Sequence, residues 1–244
     1  MKETIFAITE NAPLTESVFR LRLAGDTSAI TSPGQFVNIL LDGFYLRRPF
    51  SVCDWEDGEL TILYKILGHG TKAMTALPAG TKLDLLTGLG NGFDTVPAGE
   101  RPLLVGGGVG IPPLYGLARR LCRAGKSPVA ALGFNTAGDA ILLEEFRALG
   151  VETVTATLDG SLGLRGLVTD AMAAAGEVTY LYTCGPEGML RAVYAASTTD
   201  GQFSFEERMG CGFGVCMGCT CETKYGPKRI CRDGPVLRKE EIVW

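Results

Sequence analysis

The residues with the most chemistry in them stand near the end of the chain. In ERMGCGFGVCMGCTCETKYGPKRICRDGPV, Cys211, Cys216 and Cys219 form C-x4-C-x2-C, and Cys231 follows on a return segment. This is the spacing of plant-type [2Fe–2S] sites, with three thiolates on one tight loop and a fourth brought back to it. Such a cluster carries net negative charge, so N–H donors are needed around its sulfurs. Gly210, Gly212, Gly214 and Gly218 let the backbone fold close enough to supply them. A four-cysteine zinc site is the alternative, and disulfides are a third reading. Zinc favours C-x2-C pairs on both sides, and only Cys216 and Cys219 make one here. Cys221 lies just past the loop in the alternating stretch CTCETKY and reads as a packing neighbour, not a ligand.

A second site is written in glycine. LLVGGGVGIPPL sets Gly106, Gly107, Gly108 and Gly110 between a strand and a helix, where backbone approaches a pyrophosphate at a helix N-terminus. The G-x-G-x-x-G fingerprint fails, because Ile111 occupies its last position, and tight strand–helix packing is the competing reading of these glycines. The strand VTYLYTC then ends in Cys184-Gly185-Pro186 and opens another helix. Two such turns at the carboxyl edge of one sheet make a ligand crevice. Between Gly133 and Arg147 no lysine or arginine is present to hold a 2′-phosphate, which favours NAD over NADP.

These groups need elements to hold them. Residues 1–98 read as six short strands, TIFAIT, SVFRLRL, GQFVNILL, PFSVCD, ELTILYKI and TKLDLL, separated by Gly-containing turns, as in a small antiparallel barrel. Residues 99–200 alternate strand and helix, which implies a parallel sheet covered by helices. TTDGQ (198–202) reads as a linker. Residues 201–244 hold five of the eight cysteines and are too few to build a core without a staple. The expected architecture is therefore multi-domain: β-barrel, parallel α/β domain, small cysteine domain.

Composition narrows the classes further. Of 244 residues 46% are hydrophobic, ample for packed cores and against disorder. The 33 glycines are roughly twice the usual share of about 7%, which points to many tight turns. The single histidine turns the search for metal ligands toward thiolates. A net charge of −4 with no strongly basic half argues against nucleic acid. The uncharged run Pro102–Ala118 is short and broken by glycines and prolines, so no membrane span is expected. The start lacks a signal-peptide pattern, and a cytoplasmic protein is expected.

Arg48-Pro49-Phe50-Ser51 alone reads as an ordinary edge strand. Taken in order with GHGTKAM (68–74), GGGVGIPP and TCGPEGM, it resembles the ferredoxin–NADP reductase superfamily over the whole chain. The cysteine segment narrows this, being similar to that of the electron-transfer subunits of NAD-dependent dihydroorotate dehydrogenases of type B. The resemblance implies FAD on Arg48, Pro49, Phe50 and Ser51, with the arginine at the pyrophosphate and the serine at the flavin ring. It implies further FAD contacts from Leu63, Tyr64 and Lys65, and a phosphate turn at Gly70 and Thr71. The cluster ligands match Cys211, Cys216, Cys219 and Cys231. By the same resemblance Cys184 faces nicotinamide and flavin and Glu206 lies near the flavin, which makes both catalytic candidates. His69, between the two glycines of the turn, departs from the pattern and is given no catalytic role.

The implied chemistry is an electron relay through NAD, FAD and [2Fe–2S], since flavin exchanges either one or two electrons. The resemblance implies an FMN-containing dihydroorotate dehydrogenase catalytic subunit as partner, in a heterotetramer of two chains of each kind serving pyrimidine synthesis. Nothing in this chain reads as a dihydroorotate site. The basic run Lys224, Lys228, Arg229 and Arg232 reads as a solvated hairpin or as a docking surface. Two other functions compete: a flavin/iron–sulfur subunit of a hydrogenase or ferredoxin oxidoreductase, and a zinc-stapled nucleotide-binding module.

Overall fold

The computed structural model describes residues 1–244. Its N-terminal sheet contains β1 (Lys2–Pro13), β2 (Val18–Ala24), β3 (Phe36–Ile39), β4 (Arg48–Ser51), β5 (Asp54–Glu56), β6 (Glu59–Lys65) and β7 (Lys82–Leu89), with helix α1 (His69–Met74) before β7. The order is β4-β3-β7-β1-β2-β6-β5, antiparallel throughout. Alternation drives it: in VFRLRLA, Leu21 and Leu23 are buried in the half-barrel core with Phe19 packed against it, while Arg20 and Arg22 point to the other face. Strands β4 and β6 lie near opposite ends of that order, yet the Phe50 and Tyr64 rings are 6.0 Å apart. The sheet therefore curls on itself as a half-barrel. The seventh strand, β5, forms a hairpin with β6 around Asp57-Gly58. GHGTKAM is a turn that continues into α1, with Gly68 at its N-cap.

The second sheet is built from β8 (Leu103–Gly107), α2 (Ile111–Arg123), β9 (Val129–Phe134), α3 (Leu143–Ala148), β10 (Glu152–Thr157), β11 (Leu164–Arg165), α4 (Val168–Ala174), β12 (Leu181–Cys184), α5 (Glu187–Ala196) and β13 (Gly201–Ser204). These strands are parallel. Each central strand is buried on both faces. Leu104, Ala130, Leu132 and Tyr182 pack with α2 and α3, through Leu117, Leu121 and Phe146. Leu103, Val105, Ala131 and Leu181 pack with α4 and α5, through Ala171, Leu190 and Val193. Such continuous apolar runs are what a doubly covered parallel sheet requires.

The last segment supplies β14 (Thr220–Cys221), β15 (Lys228–Arg229), α6 (Ile230–Asp233) and β16 (Val236–Arg238). Strand β16 pairs antiparallel with β13, which pairs with β12, so the order is β11-β10-β9-β8-β12-β13-β16. Gly201 and Gln202, read from sequence as linker, are the first residues of β13. That strand is buried throughout, so it shows no polarity alternation, and its Thr-Asp-Gly approach has the composition of a loop. No helix is long and apolar enough to cross a membrane.

Candidate functional site

Strands β8 and β12 are parallel neighbours with Gly106 opposite Cys184, so the turns that follow them meet. A Cβ at Gly110 would lie 2.5 Å from the Cys184 carbonyl carbon and 2.6 Å from the Gly185 nitrogen. A Cβ at Gly107 would lie 2.6 Å from Met189 Sδ in α5. Gly107, Gly108, Gly110, Cys184, Gly185 and Pro186 all line one cavity of about 1580 Å³. Gly106 does not; its neighbours are Ile111 and Leu114 of α2, and it serves strand–helix packing.

The same cavity reaches the half-barrel. Arg48, Pro49, Phe50 and Ser51 of β4 and Leu63, Tyr64 and Lys65 of β6 line it, together with Thr71. The Arg48 guanidinium stacks over the Phe44 ring at 4.8 Å and donates to the Leu46 carbonyl. Its Nε lies where a Cβ on residue 70 would approach within 2.8 Å, so Gly70 is what lets the arginine sit against the start of α1. Gly70 itself is buried and does not line the cavity. Thr71 Oγ1 accepts from the Leu67 and Gly68 amides at 2.9 and 3.2 Å, which fixes the turn. The Tyr64 hydroxyl donates to Asn11 Oδ1 at 3.0 Å, and burial pushes its pKa up to about 12. His69 is exposed and lies outside the lining.

Burial pushes the Cys184 thiol up to about 12, against a hydrogen bond from Ser204 and with the Glu206 carboxylate adding to the rise. At neutral pH it is a thiol, not a thiolate. Glu206 is exposed and lines the cavity.

Among the four cysteines, the Cys211 side chain pairs with Cys216 and that of Cys231 with Cys219, and Cys231 also feels the charge of Cys211. No three His, Cys, Asp or Glu side chains converge on one ion-sized point. The Cys211 sulfur accepts from the amides of Val215 at 3.3 Å and of Phe213 and Cys216 at 3.5 Å. Burial opposes ionisation of this thiol, but those amides outweigh it and bring its pKa down to about 6. The Cys231 amide donates to Cys219 Sγ at 3.4 Å. Gly212 and Gly214 have φ of +79° and +90°, which the loop needs to aim its amides inward. Cys221 lines the large cavity, whereas none of the four paired cysteines does.

Comparison with known proteins decides what this arrangement is. The family model for the iron–sulfur cluster binding domain of dihydroorotate dehydrogenase B matches residues 206–243. The electron transfer subunit of dihydroorotate dehydrogenase B (NAD(+)) from Bacillus caldolyticus is 44% identical over 245 aligned residues, covering 94% of each chain. That from Fusobacterium nucleatum is 37% identical over 257, covering 99% of each. The chain belongs to this family. Among solved structures, one of an NADH-dependent reduced ferredoxin–NADP oxidoreductase superposes with TM-score 0.89 at 30% identity, over 98% of this chain and 90% of that one. A cytochrome P450 reductase from Amycolatopsis shares the fold, with TM-score 0.70 at 24% identity, over 80% of this chain and 65% of that one.

As a member of the dihydroorotate dehydrogenase B electron transfer family, the chain is an oxidoreductase subunit with a ferredoxin reductase-like fold. Its sites fit FAD, NAD and a [2Fe–2S] cluster: a cavity with an arginine at a glycine-lined turn, a second pair of glycine turns, and paired thiols with amides aimed at sulfur. The zinc-stapled module is set aside by the iron–sulfur match.

Several site residues carry no motif in the sequence. Trp244 lines the cavity under the Arg191 guanidinium, 4.6 Å from ring centre to Cζ, and packs on Phe205. Asn38 of β3 reaches the cluster loop. Neither residue type is diagnostic, and only the fold brings them there. Of the basic run, Lys228 pairs with Glu241 at 2.6 Å and Arg229 with Asp233 at 3.1 Å, leaving Lys224 and Arg232 exposed.

Proposed function

We propose that this chain carries electrons from an FMN-containing dihydroorotate dehydrogenase catalytic subunit to NAD+. In the net reaction dihydroorotate loses two electrons and two protons to become orotate. NAD+ takes both electrons and one proton, and the other proton leaves. Flavin, when bound, supplies the exchange between two-electron nicotinamide and one-electron iron–sulfur chemistry.

The observation that carries this reading is the single cavity lined by both the β4/β6 residues and the two glycine turns. Arg48 would meet the FAD pyrophosphate, with Gly70 and Thr71 at the turn, while Ser51 and the Phe50 and Tyr64 rings would wall the flavin. Gly107, Gly108 and Gly110 with Cys184, Gly185 and Pro186 would seat the nicotinamide nucleotide. Gly106 would act behind them. Cys184 presents a neutral thiol and Glu206 a carboxylate at that edge. Cys211, Cys216, Cys219 and Cys231 would hold the two irons. The flavin unit spans 1–98, the nucleotide unit 99–200 and the cluster unit 201–244, the last stitched to the second by β13 and β16. The assembly is a heterotetramer of two chains of each kind, with Lys224 and Arg232 available for docking. The setting is cytoplasmic, where cysteines stay reduced for cluster assembly.

Coexpression with the FMN subunit and assay of dihydroorotate-dependent NAD+ reduction tests this. A complex that forms but leaves NAD+ unreduced overturns it. The likeness to the ferredoxin–NADP oxidoreductase structure favours a second reading, a ferredoxin-linked reductase subunit. Reduction of ferredoxin, but no association with the FMN subunit, would establish that reading instead.

A further inference from the structure

Strand β3 has two faces. Val37 and Ile39 are buried in the core of the half-barrel, whereas Phe36 packs in the same apolar cluster as Cys219 and Cys231. Asn38 shares the face of Phe36 by the alternation of a strand. It is 1% exposed and pairs in register with Pro49 of the flavin-site strand β4. Its Nδ2 donates to the Cys211 carbonyl oxygen at 3.3 Å, and its Oδ1 is buried without a partner. A Cβ on residue 212 would collide with that Nδ2, so Gly212 admits the carboxamide as well as the positive φ.

A second asparagine supplies the contrast. Asn91, on the loop after β7, uses both ends of its side chain. Nδ2 donates to the carbonyls of Val236 and Asp233, at 2.8 and 3.3 Å, and Oδ1 accepts from the Val236 amide at 3.1 Å. It is a fully satisfied clamp on the segment after Cys231. Asn38 is half satisfied, and a buried unpaired acceptor lowers stability. An apolar residue of the same size would suit the packing better, so the placement of Asn38 is explained by what its donor does to the loop.

Building on the iron–sulfur reading of residues 211–231, we propose that Asn38 is a positioning residue for electron exchange with the cluster: reaching out from the flavin sheet, its carboxamide holds the Cys211 end of the ligand loop and raises the cluster's reduction potential. The physical route is short. Donation to the Cys211 carbonyl fixes the Cys211–Gly212 peptide, and with it the start of the backbone that presents the amides of Phe213, Val215 and Cys216, all directed at Cys211 Sγ. Hydrogen bonds to cluster sulfurs favour the more negative, reduced state and so tune the potential upward.

The test compares Asn38→Leu, Asn38→Ala and Asn91→Leu in the purified holo-subunit, by redox titration followed by electron paramagnetic resonance, with flavin content and melting temperature alongside. Leucine fills the site and alanine empties it, but both lose the donor. Both are expected to disfavour cluster reduction at least tenfold, about 59 mV for a one-electron couple, and to change the spectrum of the reduced cluster. Flavin content stays at the parent level in both. Asn38→Leu melts no lower than the parent, whereas Asn91→Leu melts lower. Reduction equilibria within twofold of the parent in both Asn38 variants, or shifts of opposite sign, would overturn the inference. A parent protein with no reducible cluster would instead overturn the reading beneath it.

Discussion

Gly110→Ala is the substitution whose consequence follows most directly from the geometry of the nucleotide crevice. An ordinary Cβ contact begins at 3.4 Å, and the new methyl would stand 2.5 Å from the Cys184 carbonyl carbon and 2.6 Å from the Gly185 nitrogen. Both neighbours are backbone, so no rotamer change relieves the clash. The Cys184 carbonyl oxygen lies nearer still, so the turn after β8 and the turn after β12 must separate by at least about 0.9 Å, the difference between 3.4 and 2.5 Å. A misplacement of about 1 Å at a reacting centre costs about 100-fold in rate, or about 2.7 kcal/mol. Overpacking costs the fold about 1–3 kcal/mol, which at about 2–4 °C per kcal/mol for a chain of this size lowers the melting temperature by about 2–12 °C. The assay is stopped-flow reduction of bound FAD by NADH in the isolated subunit. The variant should lose about two orders of magnitude in kcat/KM for NADH, while flavin content, cluster content and reduction by dithionite stay at parent values. Reduction by NADH within twofold of the parent would refute the assignment of these two turns to the nicotinamide crevice.

Arg48→Ala removes the guanidinium that packs on Phe44 and sits against Gly70. Loss of a charge-assisted hydrogen bond is worth about 1.5–3 kcal/mol, so FAD affinity should fall about 10- to 150-fold, read as the flavin-to-protein ratio after gel filtration. Cys221→Ser should keep the visible absorbance and paramagnetic signal of the cluster, whereas Cys216→Ser should lose them, because Cys221 faces the large cavity and Cys216 pairs with Cys211. Burial works to raise the Glu241 pKa, but the hydrogen bond from Lys228 and the Arg238 amide hold it below the ordinary carboxylate value. A depressed folded pKa stabilises the fold above the unfolded pKa, about 4.3, and that stability is lost as pH falls through the folded value. Glu241→Gln should therefore flatten the acid limb of a melting-temperature profile below about pH 5 and leave the profile near pH 8 parallel to the parent's.

The parts of the fold that announce themselves in sequence are those that obey a period or a fixed spacing. The alternation in VFRLRLA, the strand–glycine–helix passage around Gly107 and the C-x4-C-x2-C loop each express a local constraint, and each is where the residues place it. What escaped is non-local. Strand β13 is buried on all sides because β12 and β16 flank it, a fact about its neighbours that GQFS cannot express. Asn38 sits in a strand whose residues are all buried, where a polar side chain looks like an interruption until the cluster loop packs over it. Trp244 reaches the cavity only because β16 carries the chain back beside β13. Gly106 shows the opposite limit: four glycines in one turn look equivalent, and only the packing of Ile111 and Leu114 separates the one that serves the helix from those that face the cavity.

The way the cysteine segment is seated bears on how electrons can move. A segment of this size cannot form its own core, and it does not try to. Ile230, Cys231, Leu237 and Ile242 are buried together with Leu103, Val105 and Phe203 of the parallel sheet. Strand β16 extends that sheet, Asn91 clamps the backbone on either side of Pro235, and Asn38 grips the Cys211 backbone from the half-barrel. The half-barrel and the α/β unit are themselves locked together: Arg119 of α2 pairs with Asp54 and Glu56 of β5, and Gly116 packs on the Cys53 backbone. A cluster carried on a tether would exchange electrons at a rate set by encounter. One anchored to both neighbouring units is held at a fixed separation from the cavity, so the protein controls transfer through distance and potential. Cutting an anchor should then change those two quantities, and lengthening the 198–200 approach to β13 should change neither while β13 and β16 stay paired.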